Sequence, residues 1–183
     1  MAKGSDFERW VCKRLSRWWS NGASEDVFWR TSNSGGRAST AKRSMKNSYG
    51  DIMAIDPSGQ PFVDLVTVEV KRGYSGTSIM DTLDKKVDAA KQTWEKWIEQ
   101  AEQASNKAAT PYWWLITRRD RRREMAFMEH GLFVKLGLDQ CVSSVQVNHG
   151  RTINGGQLEE ILGCITAKSI LDVLECSHLS GLI

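Results

Sequence analysis

Apolar residues recur at helical spacing from the start of the chain: Phe7, Val11, Leu15 and Trp18 form a stripe that predicts a helix over residues 5–20. Asn21-Gly22-Ala23-Ser24 breaks it, and residues 27–30 read as a short strand. Residues 31–48 are rich in glycine, serine, lysine and arginine with almost nothing apolar, which predicts a loop that orders on a partner. A short apolar run over 52–55, a reversal at Asp56-Pro57-Ser58-Gly59 and a longer β-branched run over 63–70 together predict a hairpin. After a turn at 74–77, Leu83, Val87, Ala90, Trp94, Trp97 and Ala101 form one stripe, predicting a single helix over 80–104 with Lys85, Asp88, Gln92 and Glu95 on solvated faces. Pro111 precedes a buried strand over 112–116, where Trp113 and Trp114 are both expected in the core, and a return strand over 124–128. Residues 132–136 and 142–147 read as short edge strands, Asn154-Gly155-Gly156 as punctuation, and 157–165 and 169–175 as two packing helices.

Length and composition narrow this only a little. At 183 residues the chain is one domain by size, and its composition is ordinary apart from eight tryptophans. A net charge of only +3 shifts attention to where the charge lies. Arg37, Lys42, Arg43 and Lys46 form one basic run, and Arg118, Arg119, Arg121, Arg122 and Arg123 another, which together suggest a polyanion partner. The cysteines at 12, 141, 164 and 176 are scattered without metal-ligand spacing, the pattern of reduced thiols. With no leader pattern and no apolar run long enough to span a bilayer, a cytoplasmic protein without a membrane association is expected.

The hairpin carries the candidate chemistry. It would return Asp51, at the start of its first strand, to the end of its second, where Glu69 and Lys71 share one face. Asp51, Glu69 and the Val70 backbone carbonyl offer hard oxygen ligands for Mg²⁺, with Mn²⁺ as a substitute. Mg²⁺ there would polarise a scissile phosphate, and Lys71 would hold the attacking water and offset developing charge. Glu8 would bind outer waters or a second metal; equally, with Ser5 three residues before it, it reads as half of a capping box. A Glu-x-Lys triplet alone carries little weight, and Asp84-Lys85-Lys86 is a decoy of similar form in a helical pattern, where side chains two apart diverge. Context raises the triplet at 69: a β-branched strand, a partner opening at Gly50-Asp51, and an amphipathic helix after it.

A helix with Glu8, a loop with Ser34-Gly35-Gly36, Gly50-Asp51 opening a hairpin, Glu69-Val70-Lys71, then a helix and an aromatic strand resemble the PD-(D/E)xK nuclease superfamily, and within it the archaeal-type Holliday-junction resolvases. The resemblance covers residues 5–117. It implies a restriction-endonuclease-like α/β/α sandwich on a small mixed sheet, Mg²⁺-dependent cleavage of DNA and a homodimer, with no small-molecule cofactor. It divides the chain into a nuclease core over 1–130 and a helical extension over 131–183 packed on it. Glu8, Asp51, Glu69 and Lys71 become the catalytic positions, with Ser34 contacting the scissile strand. Ser34, Gly35, Gly36, Arg37, Lys42, Arg43, Lys46 and Arg72 become the DNA contacts. Glycine stands where the pattern has proline before Asp51, and the basic segment over 37–48 is longer than the resolvase pattern. Substrate choice stays open between branched DNA, ordinary duplex and DNA ends, and beyond these lies a binding protein that kept the fold without the catalysis.

Overall fold

A computed structural model describes residues 3–31, 49–73, 76–86, 89–149 and 151–179. The first helix, α1 (Lys3–Trp19), buries Phe7, Val11, Leu15 and Trp19 along one stripe. It begins before Ser5, so Ser5 lies inside the helix and the expected capping box with Glu8 is not its N-terminus. Two three-residue strands, β1 (Phe28–Arg30) and β2 (Ile52–Ala54), pair antiparallel as a ribbon of their own.

The expected hairpin is replaced by a more compact connection. After β2 the chain makes a 3-10 turn at Pro57–Gly59, with the Asp56 carboxylate accepting the Ser58 N–H at 2.8 Å, and continues into α2 (Gln60–Leu65) before entering β3 (Val66–Arg72). Pro61 in the first turn of α2 lacks an N–H that would have no partner there anyway. Strand β2 is therefore not laddered to β3, and one backbone bond, Asp51 N–H to the Val68 carbonyl at 2.8 Å, links the ribbon to it.

The expected long helix is two helices, α3 (Met80–Leu83) and α4 (Thr93–Ala108). Glu95 explains how α4 starts: it is 1% exposed, its Oε2 accepts the Gln92 N–H at 2.6 Å and its Oε1 accepts from Lys85 Nζ at 2.7 Å. Neither Lys85 nor Glu95 is a solvated bystander, and the 84–86 decoy lies in a bend where its lysine serves this pair.

Strand β4 (Tyr112–Arg118) then pairs parallel with β3, and β5 (Glu124–Glu129) returns antiparallel on it. Residues 130–135 form a helix, α5 (His130–Lys135), rather than an edge strand. Strand β6 (Val145–His149) is the far edge of the sheet, and β7 (Arg151–Gln157) lies between it and β5, giving the order β3-β4-β5-β7-β6. Asn154-Gly155-Gly156 is thus strand, not punctuation. The glycines make room: a Cβ on Gly155 would lie 2.1 Å from the Phe127 ring, and one on Gly156 2.6 Å from Val142 Cγ1. Gly155→Ala should therefore overpack the sheet and lower the urea midpoint by the equivalent of about 1–3 kcal/mol. An unchanged midpoint would mean that Phe127 swings aside at no cost. Helices α6 (Leu158–Cys164) and α7 (Ala167–Leu179) close the chain.

Two cores separate on the two faces of the sheet. Val66, Val68, Val70, Trp114 and Ile116 pack with α1, α2 and residues of α5 to α7; Trp113, Leu115 and Phe127 pack with Trp94, Trp97, Ile98 and Ala101 of α4. This is the three-layer α/β/α sandwich on a mixed sheet, with C-terminal helices on it. Trp113 and Trp114 are both core, one on each face as their adjacency on a strand requires.

Candidate active site

Strand β3 ends the sheet, so one backbone edge is not taken up by β4, and that edge receives Asp51. The Asp51 N–H donates to the Val68 carbonyl, and its Oδ2 accepts the Val70 N–H at 2.8 Å. On a strand the N–H and C=O of one residue face the same edge, so the Val70 carbonyl shares the edge that Asp51 occupies. Gly50 makes the approach possible, because a Cβ there would lie 2.8 Å from the Val68 carbonyl oxygen. Thr31 braces the turn, donating from its hydroxyl to the Gly50 carbonyl at 2.7 Å and from its N–H to the Asp51 carbonyl at 3.0 Å. Asp51, Glu69 and Lys71 therefore meet as expected, but through one backbone bond and one carboxylate bond from Asp51 to the strand edge instead of a hairpin ladder.

Glu69 is 3% exposed and its Oε2 accepts from Lys71 Nζ at 3.0 Å. Burial, followed by the neighbouring Asp51 carboxylate, pushes the Glu69 carboxyl up to about 7, and Lys71 only partly offsets this. Asp51 is also raised, mainly by burial, against the opposing effect of the Val70 N–H. Two neighbouring carboxyl groups, both raised chiefly by burial, form an acidic site short of positive charge.

Glu8 lies near enough to Asp51 that its charge also raises that carboxyl. Its Oε2 lies 2.9 Å from Arg30 Nη2, an ion pair across α1 and β1 that is mostly shielded from solvent. One turn on, the buried Cys12 thiol is pushed up to about 12 by burial first and then by Glu8, which makes it an unreactive core thiol. Among the described residues no three His, Cys, Asp or Glu side chains converge on one point. Sequence reading missed Arg30, whose only visible signal is an arginine ending a three-residue strand next to Thr31. Of the expected DNA contacts, Arg72 lies half-buried at the end of β3 opposite Arg118, while Ser34, Gly35, Gly36, Arg37, Lys42, Arg43 and Lys46 fall outside the described residues. Among the described residues no helix is long and apolar enough to cross a membrane.

An α/β/α sandwich whose edge strand carries Glu-x-Lys beside an aspartate from the preceding segment defines the PD-(D/E)xK nuclease class. Residues 1–160 match the model of a family described as "Phage putative PDDEXK endonuclease", and the chain belongs to that endonuclease family. No curated protein and no solved structure matches the chain.

Proposed function

We propose that the chain is a Mg²⁺-dependent DNA endonuclease that hydrolyses phosphodiester bonds and favours branched DNA, in the manner of the archaeal-type Holliday-junction resolvases. The observation that carries this reading is the Asp51–Glu69 pair, a half-buried and a buried carboxyl group at one strand edge with Lys71 3.0 Å from the buried one. A structural role gives no reason to bury two carboxyls together, whereas a hard divalent cation fits a donor set of two carboxylates and a backbone carbonyl. Asp51, Glu69 and the Val70 carbonyl would hold Mg²⁺, with Mn²⁺ substituting, and Glu8, paired with Arg30, would bind the ion's outer waters or a second metal. When bound, the ion would polarise the scissile phosphate and acidify a water.

The remaining steps belong to the chain's own groups. Lys71 partly offsets the burial of Glu69 and presents an ammonium beside it, positioned to orient the attacking water and to offset charge building on the phosphate oxygens. Ser34, Gly35 and Gly36 would approach the scissile strand. Arg37, Lys42, Arg43, Lys46 and Arg72 would neutralise phosphates around it, giving salt-dependent affinity with little sequence preference. A dimer suits a junction, which offers two strands to cut, and a cytoplasmic setting suits the reduced thiols.

Labelled four-way junction, duplex and single-stranded DNA, incubated with Mg²⁺ or EDTA, test this reading with the wild type and Asp51→Asn. The expected result is Mg²⁺-dependent cutting that Asp51→Asn abolishes, with paired nicks at the junction. Cutting of plain duplex at an equal rate would remove the junction preference. Binding without cutting in either Mg²⁺ or Mn²⁺ would remove the enzyme.

A further inference from the structure

A cleft of about 960 Å³ opens on the α4 face of the sheet, and Lys71 forms part of its wall. The other cations lining it are Arg118, Arg119, Arg121, Arg122 and Arg123, and among the described residues no aspartate or glutamate lines it. In a chain of net charge +3, this gathers six of the 25 lysines and arginines into one concave surface that begins at the candidate active site. Two of these arginines are committed elsewhere: Arg118 pairs with Glu124 at 3.2 Å and Arg123 donates to Gln157 Oε1 at 2.8 Å. The side chains of Arg119, Arg121 and Arg122 have no ion-pair or hydrogen-bond partner among the described residues. The floor is closed to stacking, because Trp94 and Phe127 are buried and packed edge to face against each other.

The turn that presents these arginines is built against local preference. The Arg122 N–H donates to the Arg119 carbonyl at 3.1 Å, closing a turn in which Arg121 takes the third position with φ +60°. That is the left-handed position a type II turn normally gives to glycine. An arginine there makes the turn less stable than glycine would, while adding a cation to the rim of the cleft.

We propose that this cleft is a second nucleic-acid subsite, in which Arg119, Arg121 and Arg122 bind the phosphodiester backbone of the strand leading away from Lys71. The proposal rests on the nuclease reading of the site and extends the substrate's path from the β3 edge across the α4 face to the β4–β5 turn. With a buried aromatic floor and a guanidinium rim, the cleft reads backbone charge and not base identity. Duplex and single strand both supply that chemistry, and the test separates them.

Arg121→Gly provides the sharpest test, since it fits the turn better and removes the charge. It should raise the melting temperature and at the same time weaken DNA binding. The triple variant Arg119→Ala, Arg121→Ala, Arg122→Ala should flatten the salt dependence of binding, measured with labelled oligonucleotides in EDTA. The slope of log K against log salt should fall by roughly 3 on duplex or roughly 2 on single strand, whichever occupies the cleft. The matching lysine triple should keep the wild-type slope. Wild-type DNA binding with an unchanged slope in the alanine triple, or a more stable Arg121→Gly that binds as well as wild type, would overturn the subsite and leave the nuclease reading standing. A wild type that neither binds nor cuts DNA overturns both.

Discussion

Glu69→Gln is expected to abolish cleavage and to make the metal-free protein more stable at pH 8. The loss of activity should exceed the roughly 10–100-fold that removal of even an outer-sphere partner of a metal site costs. The gain in stability follows from the proton linkage. The Glu69 carboxyl is held at about 7 in the folded protein against an ordinary value of 4.5, chiefly by burial and then by Asp51. Between those two pH values the folded state keeps a proton that the unfolded chain has released. The stabilisation is complete below about pH 4.5, falls as pH rises through this window, and is lost above about 7. A shift of that size corresponds to about 3 kcal/mol, and Asp51, raised for the same reason, acts in the same direction. Glutamine cannot ionise, so urea midpoints in EDTA should drop between pH 5 and pH 8 for the wild type and much less for Glu69→Gln. Mg²⁺ should restore the wild type at pH 8 and leave the variant unchanged, because a ligand stabilises only the state that binds it. A wild type equally stable at both pH values in EDTA would contradict the tight burial of this pair.

How much of this was legible in the sequence depended on how local each cause was. Asp51, Glu69 and Lys71 were readable because a strand places residues two apart on one face and the partner lies less than twenty residues away. The hairpin that seemed to unite them was wrong, since Phe62, Val63, Leu65 and Val66 form an apolar run, broken only by Asp64, that periodicity alone cannot separate from a strand. Pro61 after Gly59 and Gln60 was the available helix signal, outweighed by the β-branched residues that follow. The break before α4 has no proline or glycine to announce it; the buried Glu95 and its partner Lys85 decide it, and that is tertiary information. Strand β7 was hidden because its glycines imitate a turn, although Phe127 and Val142 from neighbouring segments account for both. The pairing of Glu8 with Arg30 crosses from α1 to β1 and leaves no spacing rule to find it by. The arginine turn was visible as charge, but only the fold places it beside Lys71.

The same distinction between local and tertiary causes gives the largest stability effect expected away from the site. Helix α2 has six residues, too few to hold itself, so it depends on what it docks against. Phe62 does that docking. It is fully buried with its ring 5.2 Å from Phe28, 5.5 Å from Trp114, 5.8 Å from Trp19 and 6.0 Å from Trp18, joining α1, β1, α2 and β4 at one point. Phe62→Ala removes those contacts and leaves a cavity among large rings that cannot collapse into it, at a cost of about 3–5 kcal/mol. Phe62→Leu keeps most of the volume and should recover more than half of the loss. The loss also reaches the active site, because α2 feeds directly into β3, whose edge holds Asp51 through Val68 and Val70. Phe62→Ala should therefore lower the temperature at which cleavage fails, in step with its urea midpoint, while the rate well below that temperature stays near wild type. A cost under about 1 kcal/mol would mean that the four rings repack without it, and that α2 is held by its ends alone.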